Sequence, residues 1–335
     1  MARQSESETP EVGHWGDFGG RCLVGQCAPE PELLLPSSSV FGIPKSASYL
    51  YGTWHDADGV MYRALRGVTA DASDFAFLFS AVRGSQLERL DVPLFSGPVD
   101  ISRDGESVAF QGADDSGPER FGFTHHPESC HWSDGTELDV HGRLLGPGMQ
   151  WYHPWPEGGG CYTATIKYAS EGTFLGREVI GFLGHEIHYM PPGRTWFNTR
   201  YGQGMEICWQ QIANEYDDGT FVHATFAYGT EGWGFAMVHD ESGRFHATTD
   251  VEIAAVVRDN GYPERITYSF SGQRWVWTID PGGERARTID GAPLGADGTC
   301  RREGDTREIV RSMGNSDWWA DGRYEASQHT DRGRA

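Results

Sequence analysis

The chain has 335 residues, 38% hydrophobic and 13% aromatic, enough for two domains or one large β architecture with a substantial core. Its formal charge of −21 has no basic stripe to offset it, so the surface repels phosphate backbones and nucleic acid is not an expected partner. No run of about 18 apolar residues occurs, so no membrane-spanning helix is expected.

Residues 1–13 (MARQSESETPEVG) are polar and acidic, unlike a signal or transit peptide. The expected location is the cytoplasm, with the six cysteines as reduced thiols. Cys22 and Cys27 have no second close pair to complete a four-cysteine zinc site. Residues 1–40, with Pro29, Pro31 and Pro36, read as an extended arm. Beyond the arm, side chains alternate with period two: Phe75, Phe77 and Phe79; then Tyr162, Ala164, Ile166 and Tyr168. The same pattern returns at Val222 to Tyr228, Trp233 to Met237, Ile266 to Phe270 and Trp275 to Ile279. Such runs are strands with one face toward a core. Between them stand Asp58-Gly59, Asp104-Gly105, Asp134-Gly135, Asp218-Gly219, Asn260-Gly261, Ser271-Gly272 and Asp290-Gly291, which supply the positive φ of tight hairpins. Asp250 to Val257 reads equally as a helix or a strand. The fold class is all-β and rich in meanders, closing into barrels or packing as sandwiches. Glycine interrupts the pattern at Gly146-Pro147-Gly148 and over Glu157 to Gly160, so a first domain is expected over 41–155 and a second over 156–335.

Chemistry concentrates in GHEIHYMPPGR, Gly184 to Arg194. On a strand, Glu186 and His188 share one face while His185 and Ile187 share the other. A carboxyl beside an imidazole can exchange a proton and each tunes the other, although a hydrogen-bonded pair in a barrel wall would leave the same signature. The spacing is one residue short of a helical HExxH zinc motif, and two prolines follow. His125, His126, Cys130 and His131 form a second cluster, in FTHHPESCHW, whose composition reads as a loop with surface histidines. Asp217-Asp218-Gly219 reads as a hairpin tip. The 12 tryptophans exceed what a core alone needs, and a handful can line an apolar cavity and stabilise positive charge. No glycine-rich phosphate cradle or GxSxG elbow occurs, so no cofactor and no serine-hydrolase chemistry are expected.

Four patches carry a family resemblance. They are YLYGTWHDADGVMYRALRGV (Tyr49 to Val68), GREVIGFLGHEIHY (Gly176 to Tyr189), WQQIANEYDDGTFVHATFAYG (Trp209 to Gly229) and GRYEASQH (Gly322 to His329), about a fifth of the chain. Together they resemble the carotenoid 1,2-hydratase (hydroxyneurosporene synthase) superfamily and its AttH-like relatives. Where that family has Asp-His-x-Trp, this chain has Gly184-His185-Glu186-Ile187 or Ile187-His188-Tyr189-Met190, so the acid and the tryptophan are not both in place. The resemblance implies two lipocalin-like antiparallel β-barrel or sandwich domains packed together, a water-excluding pocket for an isoprenoid or other apolar substrate, and hydration or cyclisation without a cofactor.

The expected activity is therefore a hydro-lyase, hydratase or dehydratase, acting on a terpene-like alkene or tertiary alcohol by acid–base chemistry. An acid kept protonated by an apolar pocket generates a carbocation, and aromatic faces stabilise it. Glu186 is the expected acid and His188 its partner, with His185 in that role if the strand faces the other way. Tyr51, Tyr189 and Trp209 are expected in the pocket wall, and His55 and Asp56, in a hairpin, as further substrate contacts. Two other readings stand beside it: a lipocalin-like binder of a hydrophobic small molecule, and a metal-dependent hydrolase or oxygenase using the histidines.

Overall fold

The computed structural model describes residues 22–69, 72–81, 86–112, 120–155, 159–287 and 291–331; the polar leader at 1–13 lies outside them. The chain begins with β1 (Leu23–Cys27), a 3-10 turn (Pro31–Leu34) and β2 (Ser39–Val40). Then follow β3 (Ile43–Asp56), β4 (Met61–Thr69), β5 (Ala72–Ser80), β6 (Glu88–Arg89), β7 (Gly97–Asp104) and β8 (Ser107–Gly112). Next come β9 (Phe121–His125), β10 (Ser129–Asp134), β11 (Leu138–Leu144), β12 (Gly148–Pro154), β13 (Gly160–Phe174) and β14 (Arg177–Tyr189). After a 3-10 turn (Trp196–Asn198) and a π turn (Tyr201–Met205) come β15 (Glu206–Tyr216), β16 (Phe221–Gly229), β17 (Gly234–His239), β18 (Phe245–Thr248) and β19 (Glu252–Val257). The last strands are β20 (Pro263–Phe270), β21 (Gln273–Glu284), β22 (Leu294–Arg302) and β23 (Ile309–Trp318), and helix α1 (Arg323–Asp331) follows.

Ten strands close an antiparallel barrel in the order β13-β11-β10-β9-β8-β7-β5-β4-β3-β14, and β14 pairs back onto β13 from Phe174↔Arg177 to Tyr162↔Tyr189. Strands β1, β2, β6 and β12 add to this sheet, and a second sheet of nine, β18-β17-β16-β15-β23-β22-β21-β20-β19, forms a curled half-barrel. The architecture is thus the expected lipocalin-like, all-β pair, and Glu252–Val257 is a strand. Hairpins carry it. At Ser271-Gly272 both residues have positive φ, 48° and 74°, as a two-residue type I′ turn needs. The β13–β14 turn does the same with Leu175 (φ 51°) and Gly176 (φ 71°), where leucine gives no turn signal.

The chain changes sheet between Tyr189 and Glu206. On either side of the Glu157–Gly160 run, β12 and β13 pair with each other in the first sheet, from Met149↔Thr165 to Pro154↔Gly160. Within the barrel, Trp54, Trp132, Tyr168, Leu183 and Ile187 form a dry core. Arg66 and Asp134 are buried there as a bidentate pair, at 2.6 Å for each bond. The described part of the arm closes this end of the chain onto the barrel: β1 pairs with β12, β2 pairs with β3, and Leu34 is fully buried in the core. The half-barrel has its own core around Phe226, Tyr268, Trp275 and Trp277. Between the sheets lies a third apolar cluster that includes Trp151, Tyr201, Trp209 and Trp233.

Candidate active site between the two sheets

Strand β14 runs between β13 and β3, with Thr165 and Tyr49 directly across from Glu186 on either side. Period-two alternation turns Glu186 and His188 out of the barrel and His185 and Ile187 into it. Outside, the half-barrel lays β15 and β23 over this face, so both faces of β14 are buried. Glu186 Oε1 accepts hydrogen bonds from the Trp209 indole N–H at 3.0 Å and the Gln211 amide at 2.5 Å. Its Oε2 lies 3.5 Å from His188 Nε2. The His188 ring stands edge-on to Tyr49, 4.8 Å between centroids, and neither of its nitrogens makes a hydrogen bond.

A hydrogen-bonded chain supports the carboxylate from behind. Gln211 Oε1 accepts from the Thr225 hydroxyl at 2.9 Å, and Thr225 accepts from Lys167 Nζ at 3.0 Å. Lys167 is fully enclosed, which lowers its ammonium to about 7 against the opposing pull of Glu186. Gln211 is thereby fixed with its amide N–H toward Glu186, because its carbonyl already faces a donor.

A second carboxyl, Glu206, opens β15. Burial, then the Asp317 carboxylate, push it up to about 8, so it holds a proton at neutral pH. Its Oε1 accepts from the Trp319 indole at 3.3 Å, while the buried Oε2 has no partner among the described residues. Tyr51 completes the polar set. Its ring lies against Gly184, where a Cβ would come within 2.2 Å of it, so only glycine leaves room for that placement. The Tyr51 hydroxyl is also buried without a partner, and burial raises its phenol well above the ordinary value.

These groups surround one cavity of about 160 Å³. Its aromatic wall is Tyr49, Tyr51, Phe75, Trp196, Phe197 and Trp209, and Glu186, His188 and Glu206 face the same space. Arg63 and Arg285 also line it, held by acids: the buried Asp297 lies 3.7 Å from Arg63 and 3.4 Å from Arg285, and Arg285 donates to the half-buried Asp317 at 2.9 Å. An outer space of about 300 Å³ shares Tyr49, Leu65, Phe75 and Phe197 and extends over Phe77, Phe79 and Pro293. Together the two reach the lower part of the ~300–1,000 Å³ range of small-molecule sites.

Of the residues expected from sequence, Glu186, His188, Tyr51 and Trp209 come together here. His185 does not: it faces the barrel interior, edge-on to Phe123 at 5.0 Å, and burial, then Lys45, hold it well below ordinary histidine basicity. Tyr189 shares that inner face, and its hydroxyl donates to Leu33 O at 2.8 Å, tying down the arm instead of lining the cavity. Asp56 accepts from Arg177 at 2.6 Å and Tyr62 at 3.0 Å at the end of β3, and His55 borders two open clefts; neither reaches the cavity. Sequence reading missed Glu206, Arg63, Arg285 and Asp317. The available signals were lone charges set beside apolar runs, in GMEICW and SDWW.

The FTHHPESCHW segment is a β9–β10 hairpin, not a loop, and its histidines part company. His125 is buried against Tyr168 at 2.7 Å, while His126 meets Ser107 at the surface. Among the described residues, no helix is long and apolar enough to cross a membrane.

No family model matches the chain, and no curated protein does. Solved structures similar to it over most of its length include the following three. A protein provisionally identified as AttH, from Nitrosomonas europaea, is 13% identical, covering 88% of this chain and 97% of its own, with a TM-score of 0.48. CghA, solved with Sch210972, is 10% identical, covering 89% and 99%, with a TM-score of 0.46. Kievitone hydratase from Nectria haematococca is 10% identical, covering 87% and 92%, with a TM-score of 0.42.

Proposed function

We propose that this chain is a hydro-lyase that adds water to an isoprenoid-type alkene, or removes it from the corresponding tertiary alcohol, in the cavity between the two sheets. The observation that carries this reading is an enclosed carboxyl, Glu206, whose Oε2 has no partner among the described residues, lining the same aromatic-walled space as the Glu186–His188 pair. An enclosed carboxyl that keeps its proton, set across one cavity from a carboxyl–imidazole pair, supplies the parts of an acid–base site. The acid role first expected of Glu186 therefore passes to Glu206.

In hydration, Glu206 gives its proton to the less substituted alkene carbon, and the π pair becomes the new C–H bond. The cation left on the tertiary carbon faces the rings of Tyr49, Tyr51 and Trp209, whose negative faces stabilise it. Water adds its lone pair to the cation and loses a proton to Glu186, with His188 beside Oε2 to pass that proton on. Dehydration runs the steps backwards: Glu186, carrying the proton, gives it to the hydroxyl, water leaves, and the Glu206 carboxylate takes the proton from the adjacent carbon. Both directions are redox-neutral, so proton transfer alone balances them. The apolar body of the substrate fits the outer space at Leu65, Phe77, Phe79 and Pro293. Its hydroxyl sits at the polar end beside Glu186 and Tyr51, with the adjacent carbon toward Glu206.

The test is to incubate purified protein in plain buffer with monoterpene-sized tertiary alcohols and their alkenes, and to follow interconversion by gas chromatography. Catalysed interconversion supports the proposal. Saturable binding without turnover would replace it with the binding-protein reading.

A further inference from the structure

Away from the cavity, the barrel's outer wall carries a donor cluster that the proposed chemistry does not use. His131 on β10 and His141 on β11 stand directly opposite each other in register. Their rings stack at 4.2 Å with planes 10° apart. Asp139, two residues before His141 and so on the same face, lies 2.6 Å from His131 Nε2. One donor atom from each of the three falls within 4.8 Å of the others. The side chains of His131 and Asp139 are 40% and 61% exposed, so the site opens to solvent. On the far side of β11, Glu171 of β13 is directly opposite His141.

We infer that His131, His141 and Asp139 bind a divalent zinc-class ion on the outside of the barrel. Two imidazoles and a carboxylate are a borderline-soft donor set that suits Zn2+, and Ca2+ or Mg2+ would require an all-oxygen shell. Donors around a tetrahedral Zn2+ sit about 3.3 Å apart, given metal–ligand distances of about 2.0–2.2 Å. The cluster reaches that spacing by rotating exposed side chains, with the backbone of two paired strands already fixed. As a purely structural group it is poor: parallel stacking brings two imidazoles face to face, and Asp139 satisfies only one of them. A cation at the nitrogen edges, reached when the two rings rotate so that their in-plane lone pairs converge with the Asp139 carboxylate, gives both a partner. Arg143, two residues beyond His141 on β11, lies over the Phe221 ring at 5.1 Å.

The site is separate from the cavity. Glu171 is paired with Ile180 on β14, six residues from Glu186, or about 20 Å at ~3.3 Å per residue. Zinc found in the purified protein would therefore not make the cavity a metal-dependent active site; it would mark a clamp across β10 and β11.

The experiment is calorimetric titration of metal-free, untagged full chain with ZnCl2, with the melting temperature followed in parallel. One saturable site is expected, with a Zn2+-dependent rise in melting temperature. His131→Ala, His141→Ala and Asp139→Asn should each weaken binding at least tenfold and abolish the rise. His131→Gln and His141→Gln keep hydrogen-bonding reach, so they separate lost ligation from lost packing if an alanine variant melts early without metal. His246→Ala, at the comparable His246–Asp240 pair with its 2.9 Å contact, should bind as wild type does. Absence of saturable binding, or equal binding after loss of both His131 and His141, overturns the inference.

Discussion

Replacing Glu206 by glutamine should change how stability depends on pH. In the folded chain this carboxyl is enclosed and lifted from 4.5 to about 8, while in the unfolded chain it titrates near its ordinary value. Between those values the unfolded state gives up a proton that the folded state keeps, so folding becomes less favourable as pH rises. Below pH 4.5 both states are protonated and the penalty vanishes; above about 8 both are ionised and the penalty is complete. At 1.36 kcal/mol per unit, Glu206 alone removes about 3 kcal/mol of stability between pH 5 and pH 8. Glutamine has no proton to lose. The stability difference between Glu206→Gln and wild type should therefore tilt by about 3 kcal/mol toward the variant over that range. Taking the difference cancels other buried groups that titrate nearby, such as Asp280 at about 6 and Lys167 at about 7. Urea unfolding at unit pH steps measures it directly. A difference that stays flat with pH would mean that Glu206 ionises normally, and the assignment of the proton donor would fall with it.

Glu186→Gln should leave the fold intact, since its partners Trp209 and Gln211 can still donate to the amide oxygen, and should cut turnover by about 10²-fold or more; a change in melting temperature without a change in rate would make the pair structural. His185→Ala should do the reverse, costing about 2–4 kcal/mol by emptying a space against Phe110 and Phe123 while sparing the rate per folded molecule. Arg66→Ala leaves Asp134 unpaired inside the barrel and should cost about 3–5 kcal/mol, read from urea midpoints.

Much of the fold is legible in the sequence because period-two alternation and Asp-Gly turns are local. Phe75 to Phe79, Tyr162 to Tyr168 and Trp275 to Ile279 all lie on strands. Closure of the barrel is not local: β14 pairs with β3 about 130 residues earlier, as Gly184↔Tyr51 shows, and nothing within either strand names its partner. The sheet change went unread for a related reason. A glycine run marks a break in pattern, and a hairpin between β12 and β13 breaks it as well as a domain boundary would.

For the site, alternation placed Glu186 and His188 on one face, but which face meets the cavity was hidden because both are buried. The same alternation puts Tyr189 with His185 inside the barrel, against its expected place in the cavity wall. Glu206 could not be found by spacing. Its proton affinity comes from enclosure and from Asp317, residues brought together only when β23 lies beside β15.

The most direct test of the account is hydration of an isoprenoid alkene by the purified protein in heavy water, with the label located by mass spectrometry. Wild type should place a single deuterium on the carbon next to the new tertiary alcohol, and Glu206→Gln should form that product at least about 10²-fold more slowly while still binding the alkene. Product formed at the wild-type rate by Glu206→Gln, or no labelled product from wild type while the alkene saturates the cavity, would contradict it.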